Sequence, residues 1–238
     1  MSIKNDFKII VTGDYACFTM PQFKTERVSY DYPTPSALTG LIESIYYKPA
    51  IKIIVDKIVV FNPISHINIK RKEMLNTSNW EKFNKLPSSI DISNSDKTTI
   101  RNTMLLTNVK YGIQFHMEMT GYKSDKVDEC IYKHCKIMRR RLINGQYVAR
   151  PYLGCREFGI NSVELVDDFD LSTIDSSLNY SFDIGFMLYG MKFADGGKPI
   201  NDNWDAPVFS NKAKPMWYSP KIVNGVIDVA KYRRTIIC

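Results

Sequence analysis

The chain has 238 residues, enough for one large domain or two small ones around a buried core. Lys and Arg total 32 against 25 Asp and Glu, a formal charge of +7, which argues against an acidic binding module and favours a polyanionic partner: RNA, DNA or an anionic membrane surface. Five cysteines, an odd number with no C-x-x-C pair, exclude a disulfide-stapled scaffold and predict reduced thiols in a cytoplasmic protein.

Residues 1–6 are polar and run straight into a strand, without the apolar centre of a signal peptide. No apolar run is long enough to span a membrane, and no fixed-period repeat or heptad is present. Residues 7–13 (FKIIVTG) read as a first strand closed by Gly13, followed by a loop over 13–18. Thr34 and Pro35 then mark a helix start, as N-cap and first helical residue, and Pro49 marks its stop. Ala37, Leu38, Leu41, Ile42 and Ile45 form its apolar stripe, with Tyr46 and Tyr47 in the last turn.

Residues 51–61 (IKIIVDKIVVF) read as a buried strand that 64–69 extends, ending on the basic run Lys70, Arg71, Lys72. Residues 77–102 are polar, aperiodic and too long for an ordinary connection, so an insertion is expected there. From 104 to 119 the alternation is clear. Leu105, Val109, Tyr111, Ile113, Phe115, Met117 and Met119 share one face; Asn108, Lys110, Gln114, His116 and Glu118 share the other.

A helix is predicted over 125–144, capped by Gly145. Val127, Ile131, Cys135, Met138 and Leu142 fall on one face, with Lys133 exposed and His134 half-sheltered at the edge of that stripe. An extended segment follows over 147–158, giving the order βαββαβ of a ferredoxin-like or RNA-recognition-motif domain. Residues 167–179, acidic and serine-rich, read as a linker. Beyond it, alternating Phe182, Ile184, Phe186 and Leu188 and the Asn224-Gly225 turn predict a smaller antiparallel β domain. The fold class is thus α+β, with domains at 1–160 and 161–238.

The chemistry concentrates in the second helix and the run after it. A histidine titrating near neutrality beside a cation, with Arg139, Arg140 and Arg141 one turn on, suits proton transfer and charge stabilisation at a phosphodiester. Arg150 and Arg156, with Lys70, Arg71 and Lys72, are candidate phosphate contacts, and Gly154 permits close backbone approach to RNA. Each has a plainer reading: a packed helix-edge histidine, a solvated arginine face, a glycine in a tight turn. A metal site from Cys130, His134 and Cys135 is disfavoured, because the cysteines diverge around the helix and no second Cys/His pair accompanies them. His66 and His116 read as ordinary strand or loop residues. No convincing carboxylate cluster supports a metal-dependent DNA nuclease, and no cofactor is called for.

Several runs together resemble a known family: GDYACF near the N-terminus, ESIYYKPAI at the end of the first helix, DKIVVFNPI in the next strand, K-H followed by R-R on the second helix, and PYLGCREF. They are similar to the Cas-five proteins of the subtype I-C (Dvulg-type) CRISPR system, in the RAMP superfamily, over most of the chain and in that family's order. The resemblance implies an RNA-recognition-motif-like N-terminal domain and a C-terminal β domain. It also implies metal-independent cleavage of CRISPR repeat precursor RNA at the 3′ base of its hairpin. Retention on the 5′ handle of the guide, within the interference complex, is implied as well. The family's catalytic tyrosine falls on Tyr46 and its Lys-His pair on Lys133 and His134. A non-catalytic handle-binding scaffold is the rival function, and duplex DNA is left open as a further partner.

Overall fold

The structure, a computed structural model, describes residues 5–23, 25–74, 98–121, 130–196, 200–201, 208 and 210–237. β1 (Phe7–Ala16) buries Phe7, Ile9 and Val11 on one face and runs past Gly13, so the expected loop begins only at Cys17. After the short β2 (Arg27–Val28), α1 (Pro35–Ile45) starts where the sequence places it: the Thr34 hydroxyl accepts from the Ala37 N–H and Pro35 opens the first turn. Leu38, Leu41, Ile42 and Ile45 are buried. The helix ends at Ile45, well before Pro49, and Tyr46 adopts an extended conformation (φ −153°, ψ 121°) as its C-terminal cap. Tyr46 and Tyr47 are therefore outside the helix, not in its last turn.

β3 (Ile51–Val60) and β4 (His66–Met74) lie along the same edge of β5 (Thr98–Met119), all antiparallel, while β1 takes β5's other edge. The residues expected to extend β3 thus form a separate strand that continues its line after a break at 61–65. β5 is longer than the alternation alone indicates, since 98–102 of the expected insertion belong to it and pair with Lys70–Met74. The remainder of that insertion, like the first residues of the predicted second helix, lies outside the described residues.

α2 (Ile131–Ile143) buries Cys135, Met138 and Leu142 as its periodicity requires. Gly145, at φ +61°, turns the chain back after it. The next strand, β6 (Ser162–Val166), pairs antiparallel with β1. It lies beyond the segment expected to be extended: residues 147–158 form a loop with one isolated bridge, Tyr152 to Gly159. Pro151 has no N–H to give a ladder, and Gly154 sits at φ +84°, which no strand adopts. The acidic segment expected as a linker is instead packed on the sheet. Its Leu178 is buried, the Phe169 ring meets Phe61 edge-on at 6.4 Å, and Asp170 and Asp175 cap two single 3₁₀ turns.

Beyond it come β7 (Ser181–Asp183), β8 (Met187–Phe193), β9 (Ala213–Tyr218), β10 (Lys221–Val223), β11 (Val226–Asp228) and the short α3 (Val229–Tyr232). Asn224 and Gly225, both at positive φ, close the β10–β11 hairpin as their sequence predicts. Among the described residues the main sheet runs β6-β1-β5-β3-β11-β10-β7, with β2 and β4 also on β5, and β8–β9 form a separate ribbon. The architecture is α+β, a mostly antiparallel sheet with few helices.

Candidate active site

Two elements distant in sequence build the site. Because Tyr46 leaves α1 in an extended conformation, its ring turns inward, and only 3% of the residue is exposed. His134 lies in the first turn of α2, on the stripe shared with Cys135 and Met138. The Tyr46 hydroxyl and His134 Nδ1 are 2.8 Å apart, and the two rings are tilted by 37° with centroids 5.9 Å apart. One proton lies between them. Either the phenol donates and Nδ1 is the unprotonated imidazole nitrogen, or Nδ1–H donates to the phenol oxygen.

His134 is more deeply placed than its wheel position predicts, at 2% exposure rather than half-sheltered, and its Nε2 is covered from solvent. The Tyr46 hydroxyl meets the Nδ1 edge of the imidazole. Lys133, one residue earlier and about 100° around the helix, is exposed. Cys130 is exposed at the N-cap position of α2 while Cys135 is buried and its thiol donates to Asn5 Oδ1. The two cysteines and His134 therefore do not converge, and among the described residues no group of three or more His, Cys, Asp or Glu side chains surrounds a common point.

The arginine triple separates on the helix surface. Arg140 is exposed. The Arg139 guanidinium lies 5.9 Å over the Phe7 ring. Arg141 turns inward: its Nη1 donates to the Ile45 carbonyl at 2.6 Å and its guanidinium sits 5.1 Å over the Tyr46 ring. Arg150 and Arg156 are exposed on the loop after α2. Gly154 faces protein: a Cβ there would stand 2.0 Å from the Cys17 carbonyl oxygen. That contact accounts for the glycine without any ligand.

Along β4 the basic run alternates. Lys70 and Lys72 are exposed, while Arg71 donates to Glu157 and Glu73 at 3.0 and 2.9 Å. Arg27 joins both carboxylates, and Arg101 pairs with Glu73. Burial raises the Glu157 pKa, but hydrogen bonds from its own backbone, Arg71 and Arg27 outweigh that and hold it at about 2. Beside this network, a hydrogen bond from the Cys17 thiol lowers the Cys155 pKa to about 7, against burial and with help from Arg27. The ion-pair network escaped the sequence reading because its members come from four separate segments. A second unexpected feature is Asn5, whose side-chain amide bonds the Met117 backbone twice and receives the Cys135 thiol, tying the polar lead-in to β5 and α2.

Residues 7–230 match the family described as "CRISPR-associated protein (Cas_Cas5)", in its Cas5d model. The chain is 34% identical over 236 residues to the CRISPR pre-crRNA endoribonuclease Cas5d of Mannheimia succiniciproducens, covering 96% of both chains. It is 34% identical over 193 residues to the protein of the same name from Thermus thermophilus, covering 81% of this chain and 76% of that one. Among solved structures, one titled as a CRISPR-associated protein superposes with a TM-score of 0.61 at 27% identity, over 94% of this chain and 90% of that one. A functionally uncharacterized protein of Streptococcus mutans, SMU1763c, shares the fold at the same TM-score and 24% identity, over 93% and 90%. A match across nearly the whole chain leads to one conclusion: this chain belongs to the Cas5d family of CRISPR-associated proteins.

Proposed function

We propose that this chain is the endoribonuclease that cuts CRISPR repeat precursor RNA at the 3′ base of its hairpin, without metal, and then stays on the 5′ handle of the guide as a subunit of the subtype I-C interference complex in antiviral defence. The observation that carries the reading is the 2.8 Å hydrogen bond between Tyr46 and His134, in a chain whose curated relatives are named pre-crRNA endoribonucleases. RNA supplies the nucleophile. The 2′-oxygen bonds to phosphorus as its proton leaves, the P–O5′ bond breaks, and the 5′-oxygen takes up a proton, leaving a 2′,3′-cyclic phosphate and a 5′-hydroxyl. His134 is assigned the proton given to the 5′-oxygen, Tyr46 the orientation of the 2′-hydroxyl and help in taking its proton, and exposed Lys133 the charge on the phosphorane. Since both rings are covered in the free protein, RNA engagement has to open a path to His134.

Arg139, Arg140, Arg150, Arg156, Lys70 and Lys72 are assigned to the RNA backbone, and the net charge of +7 suits that role. The order β6-β1-β5-β3, with α1 and α2 as the crossovers, supports a ferredoxin-like arrangement for the N-terminal unit. The proposed domains, 1–160 and 161–238, place β6 with the C-terminal unit although it pairs with β1, and β11 joins the C-terminal strands to β3 in the same sheet. Unpaired thiols at the four described cysteines suit a cytoplasmic protein.

The test is cleavage of the cognate repeat RNA in EDTA, comparing the native chain with His134→Ala and an all-RNA substrate with one carrying a 2′-deoxy residue at the cut. A single cut, lost with His134→Ala and with the deoxy substrate while binding persists, is the expected result. Cleavage of the deoxy substrate, or loss of activity with chelator, overturns the mechanism. Tight binding without cleavage by the native chain would make it a handle-binding scaffold instead.

A further inference from the structure

Three consecutive arginines on a helix point in directions about 100° apart, so they cannot all serve one ligand. The structure gives the last of them an occupation inside the protein. Arg141 Nη1 donates to the Ile45 carbonyl at 2.6 Å, and the same guanidinium lies 5.1 Å over the ring of Tyr46, the residue immediately after. α1 has no basic residue in its own last turn. Its C-terminal carbonyls carry partial negative charge with no cation from their own helix, and Arg141 reaches across from α2 to supply one.

The backbone repeats the connection. Val148 and Ala149, just past the Gly145 turn, both donate to the Ser44 carbonyl at 2.9 and 3.1 Å. Besides the Tyr46–His134 bond itself, the end of α1 is thus fastened to α2 and its exit by three bonds, of which the Arg141 bond alone is made by a side chain. His134 stands two turns earlier on the same helix. The fastening therefore fixes Tyr46 relative to His134, and the guanidinium over the phenol ring restrains the ring itself.

We propose that Arg141 is a positioning residue for the Tyr46–His134 pair and not an RNA phosphate contact. The inference rests on the assignment of Tyr46 and His134 to the cleavage reaction. It predicts a rate effect without an affinity effect, because geometry at a reacting pair governs turnover while phosphate contacts govern binding and its salt dependence.

The experiment measures single-turnover cleavage of the cognate repeat RNA at saturating protein, RNA affinity across a salt series, and melting temperature. It compares the native chain, Arg141→Gln, Arg141→Lys, Tyr46→Phe and the Tyr46→Phe/Arg141→Gln double variant. Arg141→Gln should lower the saturated rate by about 10- to 100-fold, with affinity and salt slope unchanged. Arg141→Lys, which keeps the charge and one donor, should recover a large part of that loss. In the Tyr46→Phe background the Arg141 change should add little, since both act through one ring. A flattened salt slope with weaker binding and a native saturated rate overturns the proposal and returns Arg141 to the phosphate contacts. Full additivity in the double variant overturns it too. Native-rate cleavage by Tyr46→Phe would strike the assignment of Tyr46 itself, an outcome the salt slope of Arg141→Gln reads separately. Should Arg141→Gln melt below the assay temperature, Arg141→Lys carries the same comparison of rate against affinity.

Discussion

Tyr46 and His134, separated by 88 positions, meet through a single 2.8 Å hydrogen bond between a helix cap and the first turn of another helix. The contact depends on α1 stopping at Ile45: one more helical residue would carry the Tyr46 ring about 100° around the axis and away from α2. Tyr46→Phe removes the hydroxyl and keeps the ring. Stability should fall by about 1 kcal/mol, the usual worth of one buried hydrogen bond. Cleavage should fall by about 100-fold or more while RNA binding persists. Denaturation and single-turnover assays on the same preparation check both.

Gly154→Ala should cost about 2–4 kcal/mol. The position has φ +84°, and the new methyl would press on the Cys17 carbonyl oxygen at 2.0 Å and its carbon at 2.6 Å, both backbone atoms that cannot rotate away. Urea denaturation measures the loss. Stability equal to native would mean that the glycine serves something other than this packing.

Acid should weaken the protein through Glu157. Its folded pKa of about 2 lies below its ordinary 4.5, so its contribution to stability is complete above 4.5 and is lost as pH falls through about 2. Glu157→Gln should therefore be less stable than native at neutral pH, with the gap closing as pH drops from 4.5 toward 2. A gap constant across that window would show that the ion pairs contribute nothing through this carboxylate.

Cys155 should react with iodoacetamide with a midpoint at about pH 7, measured by mass spectrometry of its own peptide in a Cys130→Ser background that removes the exposed thiol among the described residues. The hydrogen bond that lowers Cys155 raises Cys17, which burial raises further, so Cys17 should stay unmodified across the same series. Cys17→Ala removes the donor and should move the Cys155 midpoint upward.

Local signals in the sequence located their elements well. Thr34 with Pro35 and Asn224 with Gly225 act within a few residues, so their consequences are readable without the rest of the chain. The alternation after 104 likewise gave the buried face of β5, apart from Met119 at the strand's exposed end. Signals that depend on distant partners did not carry. Residues 147–158 look extended, but Pro151 and Gly154 hand the strand position beside β1 to Ser162–Val166. The acidic 167–179 segment looks like a tether because its two anchors, Phe169 and Leu178, are only apparent once Phe61 and the sheet are in place. At the candidate site, Tyr46, Lys133 and His134 are singled out by the family resemblance. The inward turn of Arg141 and the pairing of Arg71 with Glu157 arise from contacts with distant segments that no spacing encodes, whereas Arg71 and Glu73, two apart on β4, share a face.

The double acceptance at Ser44 also places the site in time. A chain emerging from the ribosome has all of α1 early, yet the Ser44 and Ile45 carbonyls at its end accept from Val148, Ala149 and Arg141. A nascent chain that stops short of residue 149 lacks part of the fastening between Tyr46 and His134, whatever else has folded. A Tyr46–His134 pair fastened in this way is therefore absent through well over half of the chain's synthesis.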